Sequence, residues 1–235
     1  MPPCLNERCR GARRGGRECR APNLGASLVR TLSTSLVYRS ATGYELLMRT
    51  LYGRHYAARL SAVADQVRRG ASVLELCPGP GALYERHLHE RAGAYTGADV
   101  NAAFLDRLRR RGAGVLRLDV SSARELPRAD VVIMQASLYH FLPDAGAIVD
   151  RMLAAARERV IIAEPIRNLA SSRLPLLALL GQRATDPCAG GEGHAQRFSE
   201  QTLDRLMERY AALTVAAFTI PGGREKVFVL DPLLG

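Results

Sequence analysis

The stretch Glu75-Leu-Cys77-Pro-Gly79-Pro-Gly81 sets an acid and a thiol ahead of two glycines separated by a proline. A turn of this kind uses backbone conformations that a side chain disfavours, and at the mouth of a helix it lets a ligand lie close to the chain. Further acids follow at Asp99, Asp119 and Glu164, and a histidine lies in Gln135-Ala-Ser-Leu-Tyr139-His140-Phe. Carboxylates accept hydrogen bonds from hydroxyl and amino groups, and a neutral imidazole takes up a proton. Cys4, Cys9 and Cys19 lack the paired spacing of a zinc site, and Cys188 and His194 stand alone, so no metal centre is expected.

These residues need elements to carry them. Short apolar runs recur at 72–76, 94–98, 114–118, 129–134 and 159–163, separated by segments with helical character. Val131-Val-Ile-Met and Val160-Ile-Ile-Ala are apolar without alternation, as strands covered on both faces are. A helix is expected over 44–69 and another over 200–210, and the runs 213–220 and 226–230 flank Pro221-Gly-Gly as a terminal hairpin. The expected architecture is an α/β Rossmann-like fold: a seven-stranded, mostly parallel sheet with helices on both faces and a C-terminal β-hairpin. In an open parallel sheet ligands bind at the carboxyl ends of the strands. Glu75, Asp99, Asp119 and Glu164 all fall there, although each taken singly also fits a helix cap or turn residue.

At 235 residues and 47% hydrophobic content, the chain suffices for one sizeable domain. The formal charge of +10 is unevenly spread: residues 1–30 hold seven Arg against Glu7 and Glu18, a net +5, which is half of the excess. Residues 1–40 are expected to be a poorly ordered Arg-rich tail, and 41–235 the folded domain, with a helical cover over 44–70 and a lid over 165–198. Lys226 is the one lysine among 33 basic residues, a bias of composition more than a phosphate-binding face, so a nucleic-acid partner is the weaker alternative. No apolar run approaches the roughly 20 residues of a membrane helix, and the odd number of cysteines reads as reduced thiols in a cytoplasmic protein.

A nicotinamide fingerprint would need a third glycine where this chain has Tyr84, a residue that would hold helix and strand apart. The ordered set Glu75…Gly79-Pro-Gly81, Asp99-Val100-Asn101 and Asp119-Val120 resembles instead the motifs of the class I S-adenosylmethionine-dependent methyltransferases, over roughly 44 to the C-terminus. One departure is Cys77, where that family commonly has a glycine.

The resemblance implies S-adenosylmethionine as cofactor. Gly79 and Gly81 would pass under its amino-acid part, where a Cβ at either would occupy its space. Asp99 would accept from the ribose hydroxyls, and Asp119 would lie near the adenine amino group. Glu75, Cys77, Val100, Val120 and Gln135 complete the implied cofactor contacts, with Tyr56 at the methionine end. His140 is then the candidate general base, or alternatively a loop-capping histidine. Tyr139, Glu164, Arg167 and Asn168 are candidates for acceptor binding, although Arg167 equally fits a partner for Glu164. The implied activity is methyl transfer to a small-molecule acceptor by a monomer or homodimer. An RNA methyltransferase and a non-catalytic cofactor-binding module are the alternatives.

Overall fold

A computed structural model describes residues 41–167 and 197–234. The expected tail, most of the expected lid, Asn168, Cys188 and His194 lie outside the described residues.

One seven-stranded sheet organises the domain, in the order β3-β2-β1-β4-β5-β7-β6. Its strands are β1 (Ser72–Leu76), β2 (Ala94–Asp99), β3 (Gly114–Arg117), β4 (Ala129–Gln135), β5 (Ala156–Pro165), β6 (Thr214–Thr219) and β7 (Glu225–Leu230). The first five pair in parallel, and β7 runs antiparallel to both β5 and β6. The central strands feed two cores by simple alternation. Val132 and Met134 join one cluster while Val131 and Ile133 join the other, and β5 divides likewise between Val160, Ile162 and Ile161, Ala163. This is why neither strand shows a polar face in the sequence.

Helices α1 (Ala41–Tyr52) and α2 (Tyr56–Ala64) cover one face, where Met48, Tyr52, Leu60 and Val63 are buried. The expected single helix over 44–69 is therefore two, parted by the 3₁₀ turn Gly53–His55, in which Gly53 takes φ +53°. After β1 the chain forms a π-helical turn, Tyr84–Leu88, leading into α3 (His89–Arg91), and after β2 it forms α4 (Ala102–Arg110). Helices α5 (Ala145–Ala155) and α6 (Glu200–Met207) pack on the opposite face through Ile148, Val149, Met152, Leu203 and Met207. A reciprocal cap starts α6, Thr202 N–H donating to Ser199 Oγ at 3.2 Å and Ser199 N–H to Thr202 Oγ1 at 2.9 Å. Among the described residues, no helix is long and apolar enough to cross a membrane.

Candidate functional site

Strand order reverses between β1 and β4, one leading toward β2 and β3 and the other toward β5, so a crevice opens at their carboxyl ends. The turn after β1 lines it. Cys77, Gly79 and Gly81 all have positive φ, at +53°, +57° and +86°. The two glycines answer different demands. A Cβ on Gly79 would meet nothing within 4 Å, so the space beside it is open to a ligand. A Cβ on Gly81 would strike the Leu108 side chain of α4. Packing of α4 is thus a demand on Gly81 that the sequence did not show, beside the left-handed backbone it shares with Gly79.

Asp99, at the end of β2, is only 7% exposed. Its Oδ1 accepts from Asn101 N–H at 2.8 Å, and backbone N–H groups of Gly79 and Val100 also stabilise the carboxylate. Burial nevertheless pushes its pKa above the usual range, so the amides only partly replace lost water. The same Asn101 caps α4, accepting from Ala103 N–H at 3.0 Å, so the acid and the helix start are fixed together.

Glu75 lies deeper, 3% exposed, accepting from the Tyr95 hydroxyl at 2.6 Å. Burial raises its pKa to about 7, against the Tyr95 hydrogen bond and the Arg59 charge, with Asp99 adding to the rise. Tyr84 does not hold helix and strand apart as its size led us to expect. Its ring is buried against Tyr95, centroids 4.4 Å apart, and the chain around it adopts the wider π-helical turn. Cys77 opens the glycine turn, its N–H donating to the Ala98 carbonyl at 2.8 Å. Burial raises its thiol pKa, and Asp99, Glu164, Asp119 and Glu75 each raise it further. The thiol is therefore neutral and a poor nucleophile.

Asp119, beyond β3, is exposed and accepts from Ser121 N–H at 2.9 Å and Ser121 Oγ at 2.6 Å. The Ser121 hydroxyl is the main cause of its lowered pKa. Val120 is buried, whereas Val100 stands 58% exposed beside Asp99, an apolar group facing solvent at the edge of the crevice. Tyr56 sits in the core under α1, with the guanidinium groups of Arg86 and Arg49 at 5.4 and 5.9 Å from its ring. Burial raises its pKa.

The segment after β4 forms the other wall. Ala136 takes φ +54°, and the 3₁₀ turn Leu138–Phe141 presents Tyr139 and His140 with ring centroids 3.9 Å apart. Arg197 lies over the Tyr139 ring at 3.9 Å. Glu164, wholly buried, anchors this turn: its Oε1 accepts from Ser137 N–H at 2.7 Å and Leu138 N–H at 2.6 Å. Burial is the main cause that lifts its pKa to about 8. Arg167 is exposed and rests over the hairpin turn, its guanidinium 3.4 Å from where a Gly223 Cβ would stand. The alternative pairing of Arg167 with Glu164 does not occur among the described ion pairs.

Beneath Gln135 lies a buried network that the sequence did not reveal. Arg59 Nε donates to Glu225 Oε2 at 2.7 Å, and Gln135 Nε2 donates to Glu225 Oε1 at 2.7 Å and to the Arg59 carbonyl at 3.1 Å. The Arg59 guanidinium also lies over the Tyr52 ring at 4.5 Å. This commits the Gln135 amide nitrogen to joining α2, β4 and β7. A buried Arg on an otherwise apolar helix face was the available signal, but its partner is 166 residues away.

No protein-family model matches the chain, and no curated relative matches it by sequence. Solved structures do. Magnesium protoporphyrin IX methyltransferase from Synechocystis PCC 6803, determined with bound SAH, superposes with a TM-score of 0.56 at 16% identity, over 88% of this chain and 99% of that one. The putative methyltransferase bound to the Trm112 activator of Haloferax volcanii gives 0.59 at 12% identity, over 84% and 96%. Mitomycin 7-O-methyltransferase gives 0.57 at 16% identity, over 87% of this chain and 62% of its own length. Strand order, the antiparallel hairpin at one edge and this agreement over more than four-fifths of the chain give the protein the class I S-adenosylmethionine-dependent methyltransferase fold.

Proposed function

We propose that this chain is an S-adenosylmethionine-dependent methyltransferase acting on a small-molecule acceptor. The observation that carries the reading is the left-handed turn at Gly79, which leaves open space at the strand-order switch beside the buried Asp99 carboxylate whose charge its amide favours. A dinucleotide reading fits less well, since Tyr84 stands where that fingerprint has its third glycine, and the chain accommodates it with a π-helical turn in place of the close helix–strand packing that glycine permits.

The residues present fit the cofactor. Asp99 is a fixed acceptor for the ribose hydroxyls, the turn 77–81 supplies backbone to the amino-acid part, and the exposed Val100 offers an apolar surface to the adenine. Asp119 stands at the adenine end, with Glu75, Cys77, Val120, Gln135 and Tyr56 behind these groups. Bound there, S-adenosylmethionine supplies a methyl group on a sulfonium, already activated for displacement. What the protein must add is alignment of the acceptor, worth on the order of 7–11 kcal/mol in favourable cases. Tyr139 shapes the acceptor side, Arg167 and Asn168 orient the acceptor, and His140 takes the proton that an O–H or N–H acceptor releases as it gains the methyl group. The solved neighbours whose printed names specify small molecules, a porphyrin and a mitomycin, support the acceptor class.

Thermal unfolding tests the reading. S-adenosylhomocysteine at a hundred times its dissociation constant is expected to stabilise the protein by about 2.7 kcal/mol. Stabilisation by a nicotinamide dinucleotide in its place would overturn the proposal.

A further inference from the structure

Glu164 has an unusual setting for a carboxyl group. It is 0% exposed, and both of its hydrogen bonds, from the Ser137 and Leu138 amides, end on Oε1. Its Oε2 is buried with no hydrogen-bond partner among the described residues. A carboxylate with one oxygen orphaned in a low-dielectric interior carries a large desolvation cost, whereas a carboxylic acid leaves only a hydroxyl there.

The charges around it point the same way. From β7, Glu225 adds a second buried carboxylate, and that one has its cation, Arg59 at 2.7 Å. The cross-strand neighbour Lys226 directs its ammonium to Asp204 and Glu200 on α6. The Arg197 charge opposes protonation of Glu164, more weakly than burial and Glu225 favour it. On the side of the glycine turn stands the neutral Cys77 thiol. Tyr139 and His140 follow directly on the amides that Glu164 holds. When two carboxyl groups share a site and one has the cation, the other retains the proton.

We propose that Glu164 is a positioning residue that works as a neutral carboxylic acid: its carbonyl oxygen pins the Ser137–Leu138 turn, and through it Tyr139 and His140, while the proton resides on the otherwise unpartnered Oε2. Losing that proton places a buried charge beneath the turn that the two amides and Arg197 only partly offset, so the geometry of His140 becomes sensitive to alkali. Describing this turn as the acceptor wall rests on the methyltransferase reading; the protonation of Glu164 does not.

The sign follows from linkage. The folded-state pKa of about 8 lies above the ordinary 4.5, so the contribution to stability is complete below pH 4.5 and is lost as pH rises through about 8. Glu164→Gln keeps a carbonyl for both amides and cannot ionise. The test uses the full chain without ligand, following the His140 Cε1–H proton resonance and the melting temperature from about pH 6 to about pH 9.5, on either side of the Glu164 pKa of about 8. In the wild type the His140 signal is expected to show an inflection near pH 8, and the melting temperature to fall relative to Glu164→Gln as pH rises. The inflection should vanish in the variant. Carbon-13 labelling of Glu side-chain carboxyls in the wild type tests the same point without any substitution. A carboxyl titrating above pH 7 whose signal disappears in Glu164→Gln is expected. Titration of all glutamates in the ordinary range, or an inflection that persists in Glu164→Gln, would overturn the proposal. S-adenosylhomocysteine binding, measured alongside, reports on the methyltransferase reading independently.

Discussion

Residue chemistry in the crevice divides by solvent exposure. Asp119, exposed and bonded to Ser121, has a lowered pKa, whereas burial raises those of Glu75, Asp99 and Glu164. Acids of the same type at equivalent strand ends therefore do different things, which their spacing in the sequence does not disclose. The Cys77 thiol, whose pKa is raised chiefly by burial, is expected to resist alkylation: at pH 8, iodoacetamide should modify it more slowly than a free cysteine, as read by peptide mapping. Rapid modification at Cys77 would show that the thiol is not held neutral by burial as described. His140→Gln is expected to reduce methyl-transfer turnover by roughly 10²–10⁴-fold with cofactor affinity unchanged, the usual loss on removing a general base. Unaltered turnover would make His140 a loop residue only.

Helices and strands impose their own demands on single positions. Gly79→Ala adds only the left-handed backbone cost, about 1–2 kcal/mol, because its Cβ enters open space. Gly81→Ala adds to that cost a collision with Leu108, and overpacking typically contributes a further 1–3 kcal/mol. Urea unfolding should therefore rank Gly81→Ala as the less stable variant, while Gly79→Ala loses more ligand affinity. The reverse ranking would mean that the turn is not packed on α4 as observed. The Arg59–Glu225 pair joins the helical cover to β7, and Arg59→Met should cost about 3–5 kcal/mol by stranding the Glu225 charge. The double variant Arg59→Met with Glu225→Gln should recover part of that loss, and a strictly additive result would argue against the pair.

For the whole molecule, local pattern carried much of the architecture. The apolar runs 129–134 and 159–163 became β4 and β5, and Pro221-Gly-Gly became the hairpin turn, because burial on both faces and glycine-rich turns leave direct marks in the residues. What stayed hidden was long-range. Nothing local pairs Arg59 with Glu225, shows Leu108 against Gly81, or reveals that Tyr84 finds room beside Tyr95 in a π-helical turn. The candidate site divides in the same way: the acids were legible as strand ends, but the orphaned oxygen of Glu164 and its grip on the Ser137–Leu138 turn depend on tertiary packing. Charge distribution gives one further expectation. Since residues 1–30 carry a net +5 of the formal +10, deleting them should remove most salt-sensitive RNA binding while leaving cofactor affinity unchanged. RNA affinity that survives the deletion would favour the RNA methyltransferase alternative.

The most direct test of the methyltransferase reading is calorimetric titration of the full chain and its Asp99→Ala variant with S-adenosylhomocysteine. Asp99 is the buried acid at the end of β2 that the proposed reading assigns to the ribose hydroxyls, so on that reading its removal deprives the ligand of a fixed partner. The account predicts saturable binding that weakens by about 1–3 kcal/mol in Asp99→Ala, the cost of leaving hydrogen-bonding groups unpaired. No binding to the wild type, or equal affinity in the two proteins, would contradict it.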